Sequence, residues 1–367
     1  MSYTNGLDKP SDYFNTVLYT GDLQDSDGTG HTQSITGVGF TPDWVWHKGR
    51  SGARTHILVD SVRGLTNYNW LITNSTSSEI TANTNGAIKS IDSDGITLEN
   101  GNDSSSKSNN AGKNGETWVF WNWLAGGSAS SNTDGTITST VSANQISGFS
   151  IVTYSGNSTA GATVGHGLVG VVPSVVLVKS RDGAYGWGMY HHKNTSAPET
   201  DYLSINSTDA TVDDVNFWND TAPTSSVFSL GGTDAINKTS NSHVAYVFAE
   251  KKGYSKFGSY TGNGNADGTF VHLGFKPAFV LIKVTSTTND WEIHDNKRGS
   301  SNVINAILQP NLSDAESTSG REIDFLSNGF KLRNSNSQNN LSGGTFIYMC
   351  FASNPFTTSS GVPTTAR

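Results

Sequence analysis

The sequence predicts an all-β protein of three tandem β-sandwich, jelly-roll-like modules. Three observations carry that expectation: a turn-rich composition poor in helix formers, an internal repeat, and the hydrophobic pattern of the repeated segments. Of 367 residues, 40 are glycine, only 15% are charged and 34% are hydrophobic, yet 10% are aromatic. A helical bundle needs Ala, Glu, Lys, Leu and Arg at helical periods. A disordered chain combines few aromatics with high net charge. Neither description fits.

The repeat begins at Tyr19-Thr20-Gly21, Tyr154-Ser155-Gly156 and Tyr260-Thr261-Gly262. Downstream of each lies a proline-led apolar strand ending in lysine: Pro42 to Lys48, Pro173 to Lys179 and Pro277 to Lys283, six residues apart in every copy. Proline at a strand start removes the N–H that matters least. Eight residues after each lysine come His56, Trp187 and Trp291, and twelve after come Asp60, His191 and Asp295. A Leu-x-x-Asn step follows at Leu71–Asn74, Leu203–Asn206 and Leu308–Asn311. Asp94-Gly95 and Asn328-Gly329 are hairpin signals, because a type I′ turn needs positive φ at both central residues. Each copy closes on an aromatic strand: 117–123, 244–249 and 345–351. Val175–Val178 and Phe279–Ile282 are continuous apolar runs and read as central strands covered on both faces.

The modules are expected at 1–127, 128–254 and 255–367. The joint Gly126–Asn132 reads as flexible, and Glu250–Tyr254 as a joint short enough to fix its neighbours. The polar stretch Glu99–Asn114 reads as a surface excursion, and Asn311–Glu316 as a single helical turn.

Several function classes are excluded. A net charge of −8 without a Lys/Arg cluster argues against nucleic acid. No apolar run approaches the ~18 residues of a membrane span. The opening Met1–Leu7 has no basic and apolar stretch of the kind that directs secretion. With Cys350 alone, neither an intrachain disulfide nor a cysteine-based zinc site is expected.

Several segments resemble virion proteins of marine tailed bacteriophages. They are the opening Tyr3–Thr16, Thr36–Trp46, Asp60-Ser61-Val62-Arg63-Gly64, Asp92–Gly95, Trp121–Gly127, Gly148–Tyr154 and Phe325–Leu332. The resemblance covers nearly the whole chain. It implies a structural protein of the particle exterior, of tail-fibre type, and it carries over no catalytic residues.

Asp60-x-x-Arg63-Gly64 and Asp295-x-x-Arg298-Gly299 match, whereas copy two departs with His191-His192-Lys193-Asn194. An Asp–Arg pair locks a turn by a charge-assisted hydrogen bond, so these are read as structural turn pairs. Asp25–Gly28 and Asp92–Gly95 look like fragments of calcium loops but lack the further ligands, and turn chemistry explains them. The histidines show no metal spacing, and no Gly-x-Ser-x-Gly elbow occurs. No metal, cofactor or catalytic residue is expected, and the chain is read as non-enzymatic. Trp44, Trp46, Trp121 and Trp123 are the binding candidates, because exposed indoles stack on sugars and anchor interfaces. Alternation puts Trp44 and Trp46 on one face and Trp121 and Trp123 on another.

The expected function is a phage virion surface protein, tail-associated or fibre-like, contributing to host adhesion. A capsid decoration or cement protein is the alternative, and a depolymerising enzyme a more distant one. Expected partners are other virion proteins, further copies of the chain in a symmetric oligomer such as a trimer, and a host-surface glycan. Neither nucleic acid nor a membrane is expected.

Overall fold

A computed structural model describes residues 7–364, so Tyr3–Gly6 of the opening motif lie outside the described residues. The chain is nearly all β, each repeat forms an inner and an outer antiparallel sheet, and module two adds a two-stranded sheet of Asp201–Tyr202 and Val212–Asp213. In module one the inner sheet runs, in spatial order, Phe14–Thr20, Thr117–Trp123, Trp44–Gly49, Ile57–Asp60 and Leu71–Ile72. Its outer sheet is Thr32–Thr36, Gly95–Glu99 and Ala87–Asp92. Module three repeats this order with Ser255–Thr261, Thr345–Pro355, Phe275–Val284 and Glu292–Asp295 inside, and Phe270–His272, Gly329–Leu332 and Ile323–Leu326 outside. Module two keeps the inner order with Phe149–Ser155, Ser242–Phe248, Val175–Ser180 and Gly188–His191. Ser139–Asn144 and Ser130–Asn132 extend that sheet, and its outer layer is Ala162–Gly165 paired with Val227–Leu230.

The landmarks explain the layout. The first and last strands of each module pair antiparallel, with Tyr19 opposite Trp118, Tyr154 opposite His243 and Tyr260 opposite Phe346. The proline-led strand pairs with the other side of the aromatic strand, and so becomes central. Every residue of Val175–Ser180 is buried, as the continuous apolar run requires.

Each inner sheet is covered twice. One face packs on the outer sheet of its own module, which gives three separate cores. The other face meets the inner sheets of both other modules in one common core. Aromatic rings join all three pairs of modules there. Trp44 stacks on Tyr246 at 4.6 Å between centroids, Trp123 meets Phe279 edge-on at 5.7 Å, and Phe248 meets Phe351 at 5.8 Å.

This corrects the binding assignment of the tryptophans. Trp44 and Trp46 are 2% exposed, Trp123 is 1% and Trp121 is 0%. Trp44 pairs with Trp123 and Trp46 with Trp121 across the two strands, so all four share the inward face. Indoles on that face fill the space between modules and meet no solvent.

Three smaller expectations also change. The Gly126–Asn132 joint is pinned: Gly126 N donates to Ser142 Oγ at 3.0 Å, and Ser130–Asn132 is a strand. A Cβ on Gly126 would lie 2.5 Å from the Ala143 carbonyl oxygen, which is why glycine stands there. The Glu99–Asn114 stretch is partly interior, with Asn100, Ser108 and Ala111 fully buried. Asn311–Glu316 forms no helix. It runs irregularly along module one, where Glu316 N donates to the Arg50 carbonyl at 2.7 Å. The short α-helices are instead Val215–Trp218, Asp234–Asn237 and Ser337–Asn340. The two ends of the described chain meet, because the Asp8 carboxylate accepts Ser359 N–H at 2.6 Å and the Ser359 hydroxyl.

Truncating the common core removes a large buried ring that cannot be replaced by collapse. Trp44→Ala or Trp123→Ala is expected to cost about 3–5 kcal/mol in denaturant unfolding. Phe270→Ala, at an exposed ring, is expected to stay within about 0.5 kcal/mol.

Candidate functional site

The residues that stand out in the sequence converge on the seams between modules. The lysine ending each proline-led strand is buried and donates to a carbonyl of the next module. Lys48 Nζ reaches Ser313 O at 2.8 Å, Lys179 Nζ reaches Thr76 O at 3.1 Å and Lys283 Nζ reaches Thr208 O at 3.1 Å. Each acceptor lies two residues after the asparagine of a Leu-x-x-Asn step. That asparagine accepts the backbone N–H of the residue eight after the lysine: Asn74 from His56 at 3.0 Å, Asn206 from Trp187 at 2.8 Å and Asn311 from Trp291 at 3.0 Å. The ring of that residue then crosses the seam. His56 Nε2 donates to Gln309 O at 3.0 Å, Trp187 Nε1 to Ile72 O at 2.8 Å and Trp291 Nε1 to Ser204 O at 3.1 Å. Module one thus grips module three, two grips one, and three grips two.

The Asp–Arg pairs are turn locks, and they extend across seams. Asp60 Oδ1 accepts Arg63 N at 2.8 Å, and Oδ2 accepts Arg63 Nε at 2.5 Å and the Tyr246 hydroxyl of module two at 2.8 Å. Asp295 Oδ1 accepts Arg298 N at 2.8 Å, and Oδ2 accepts Arg298 Nε at 2.5 Å and Trp121 Nε1 of module one at 3.0 Å. Burial works against the Asp295 carboxylate, but the adjacent Arg298 holds its pKa below the usual range. Each arginine continues to a glutamate shared with a second arginine. Glu79 binds Arg63 at 2.5 Å and Arg181 at 2.7 Å, and Glu316 binds Arg298 at 3.1 Å and Arg50 at 2.8 Å.

Copy two departs from Asp-x-x-Arg together with the three positions that form the arginine–glutamate–arginine set at the other seams, all of which are neutral at its seam with module three. Where the other seams place Arg, Glu and Arg, this one places Asn194, Thr211 and Thr285. Thr211 Oγ1 donates to Asn194 Oδ1 at 2.6 Å, and Thr211 N donates to Thr285 O at 3.0 Å. Module three offers Met349 at the position of Tyr246 and Trp121, so a carboxylate there would have no side-chain donor. His191 fills the place and donates from Nε2 to Tyr348 O at 3.2 Å.

Two buried histidines, His56 and His191, are held neutral by their partners. His56 Nδ1 accepts Trp46 Nε1–H at 2.9 Å while Nε2 donates, and His191 Nδ1 accepts Lys193 N–H at 3.1 Å while Nε2 donates. A second ring proton would face a donor in each case. Burial likewise pushes His47 and His191 down to about 3 and His243 to about 4. It lowers Lys48 to about 7 and Lys179 and Lys283 to about 8.

The acidic turns are committed to protein donors. Asp25 accepts from Ser108 N and Oγ, Asp94 accepts from Gly37 N and Gly39 N, and Asp92 accepts from Ser90 and Thr97 hydroxyls. Among the described residues no cluster of three or more His, Cys, Asp or Glu could hold a metal.

Among the described residues lie three surface clefts that the sequence reading missed. One, about 590 Å³, lies on module one and includes Thr41, Ser61, Gly64, Leu65, Thr66, Tyr68 and Ile91. A second, about 210 Å³, lies on module three and includes Lys276, Asn296, Gly299, Ser300, Asn354 and Phe325. These occupy the same place in the repeat: Thr41 and Lys276 precede the prolines, Gly64 and Gly299 end the Asp-x-x-Arg-Gly turns, and Ile91 and Phe325 lead into the outer hairpins. The third, about 640 Å³, follows the joint between modules two and three and includes Lys252, Lys256, His272 and Phe356. Only the repeat register could have marked the first two, because their polar lining differs between copies.

Fold and seams together define a three-module β-sandwich protein closed into a ring by cyclic contacts. The chain belongs to the family described as a domain of unknown function (DUF7483), which matches residues 9–355 and therefore spans all three modules. No curated protein and no solved structure matches it.

Two outcomes follow. Glu79→Ala leaves Arg63 buried without its second carboxylate, and a loss of about 3–5 kcal/mol is expected in chemical denaturation. Replacing the set together, Asp60→Asn, Arg63→Asn, Glu79→Thr and Arg181→Thr, is expected to recover most of that loss, and an additive sum of losses would refute the coupling. For pH, the unfolded histidines titrate near 6.5, whereas the folded ones refuse protons until about 3–4. The unfolded state therefore binds more protons in that window. Thermal stability is expected to fall as pH drops from 6.5 toward 4, and a flat melting profile over that range would contradict it.

Proposed function

We propose that this chain is a structural protein of a bacteriophage exterior, tail-associated or fibre-like, that contributes to host-surface adhesion without catalysing a reaction. The observation that carries this reading is the cyclic gripping of the three modules, which fixes their outer surfaces and clefts relative to one another. A rigid array of weak sites gains avidity because the second contact forms at high effective concentration. The sequence segments that resemble phage virion proteins lie on this framework. Asp60–Gly64 builds a seam, and Trp121–Gly127 runs from the common core into the pinned joint. The low charge suits docking to neighbouring virion proteins and to further copies of the chain in a symmetric assembly such as a trimer. An uncharged host-surface glycan is the ligand in keeping with it.

Labelled antibody against the chain is expected to decorate the tail region of intact particles, and purified protein is expected to block phage adsorption. Decoration confined to the shell would favour a capsid cement role instead. Saturating protein that leaves adsorption unchanged would remove the adhesive role.

A further inference from the structure

We propose that copies of this chain dock head to tail, a lysine-bearing apolar surface at the joint end of module two receiving an acidic apolar surface on module two of the next copy. This rests on the assembly of copies in the reading above and names the surfaces that meet.

The lysines differ in how their charge is spent. Lys9, Lys89, Lys113, Lys238 and Lys331 each pair with a carboxylate, and Lys107 donates to the Asp27 carbonyl at 2.8 Å. Lys193, Lys251, Lys256, Lys276 and Lys297 have no carboxylate partner among the described residues. All five belong to modules two and three, around the starts of their proline-led strands and the joint between them. His192 N donates to Ser174 O at 2.9 Å, which sets Lys193 beside the strand start of module two. Lys251 lies over the turn at 145–148, since a Cβ on Gly148 would come 2.8 Å from its Cε. Lys256 Nζ donates to His272 O at 2.7 Å in the joint cleft. Asn296 N donates to Ala278 O at 2.9 Å, which brings Lys297 beside the strand that carries Lys276. The acid within this group, Glu250, is taken by Phe257 N–H at 2.7 Å and lies 3.8 Å from His192 Nε2. One solvated lysine marks nothing. Five together, in a chain of net charge −8 whose lysines elsewhere are spent, make a local cationic surface.

The same end exposes aliphatic side chains. Ile146, Val169 and Val172 are 51%, 80% and 55% exposed. Gln145 ties their two loops together, because its Oε1 accepts Val169 N–H at 2.9 Å and its Nε2 donates to Gly167 O at 2.7 Å. Buried Leu168 anchors the loop, so Val169 is held outward on a fixed support. Apolar groups joined in this way mark an interaction surface rather than scattered exposure. They also favour a protein over a nucleic acid, whose backbone is read by arginine and polar groups, and the set contains no arginine.

The complementary surface lies on the same chain. Residues 194–237 contain no lysine or arginine, and Glu199, Asp209, Asp213, Asp214 and Asp220 form no ion pair among the described residues. Asp214 N donates to Thr200 O at 3.0 Å and Asp213 lies opposite Asp201 across two strands, which gathers Glu199, Asp213 and Asp214 around exposed Val212 and Val215. This segment joins the inner sheet at its Gly188–His191 edge, through the bridge of Met189 to Leu203. Ile146 lies at the turn between Ser139–Asn144 and Phe149–Ser155, toward the opposite edge of that sheet. One chain therefore cannot set Ile146, Val169 and Lys251 against its own Val212 and Val215, and two copies can. Unlike surfaces meeting head to tail close into a ring or run on as a filament, and a trimer is a closed case.

The test is sedimentation velocity on the full chain at about 0.1 M and about 1 M salt, where the screening length is ~10 Å and ~3 Å. Self-association is expected, weakened about tenfold or more at the higher salt. Val169→Asp with Val172→Asp is expected to abolish it at an unchanged melting temperature, because both side chains are exposed. Lys251→Glu with Lys256→Glu, and separately Asp213→Lys with Asp220→Lys, are each expected to weaken it about tenfold or more. An equal mixture of those two charge-reversed variants is expected to associate again, since each then offers the other an opposite charge. A chain that stays monomeric at both salts overturns the proposal, as does association that these variants leave intact or that the mixture fails to restore. Tighter binding of short duplex DNA than of a second copy also overturns it. If the chain is monomeric yet blocks adsorption, the surface assignment falls and the adhesive reading stands. If copies associate as described but the chain is absent from particles, the reverse holds.

Discussion

A buried ammonium group that finds its acceptor in the adjacent module is the constraint on which the rest of this structure depends. Lys48, Lys179 and Lys283 lie at the end of the central strand of each inner sheet, fully buried. An ion there is costly unless carbonyls surround it. Each lysine has one set of acceptors in its own following turn, such as Tyr185 O for Lys179 and Asn289 O for Lys283. The remaining acceptor comes from the neighbour. A module separated from its partners would therefore lose the cover of one sheet face and a ligand of its lysine together. The aromatic core supplies the area of contact, and the polar rim fixes its register.

The same logic governs the charged seams. Arg63, Glu79 and Arg181 at one seam, and Arg298, Glu316 and Arg50 at another, are compensated sets in which no member can change alone without leaving an uncompensated charge. The seam between modules two and three shows the alternative solution, with all three positions neutral at once. Its histidine at 191 answers the lack of a side-chain donor on Met349. Divergence of copy two is thus a coordinated exchange across two modules, which a comparison of Asp-x-x-Arg turns within single modules does not reveal.

Much of the fold was legible because its signals are local. The Tyr-Thr-Gly blocks, the proline-to-lysine spacing and the aromatic closing strands each fell on the same strand of each inner sheet. The Asp–Arg turn locks are local too, since three residues of separation already place Nε against the carboxylate. The role of Trp44, Trp46, Trp121 and Trp123 was not legible. Strand alternation says which residues share a face only once the register is known, and it cannot say what covers that face. The flexible reading of Gly126–Asn132 failed for a related reason: composition cannot anticipate that Ser130–Asn132 joins the edge of a sheet. The clefts were invisible because they are made by positions at which the copies differ, while repeat analysis attends to those that agree.

The contact between Asp8 and Ser359 brings the first and last segments together, and module three grips module two while module one grips module three. The ring thus has no privileged starting module. Covalent order along the chain is one of several ways to thread the same closed set of contacts. A chain cut at the Gly126–Asn132 joint and rejoined at its original ends would have to satisfy the same buried partners. Its assembly would differ only in which seam is tethered and which is found by diffusion.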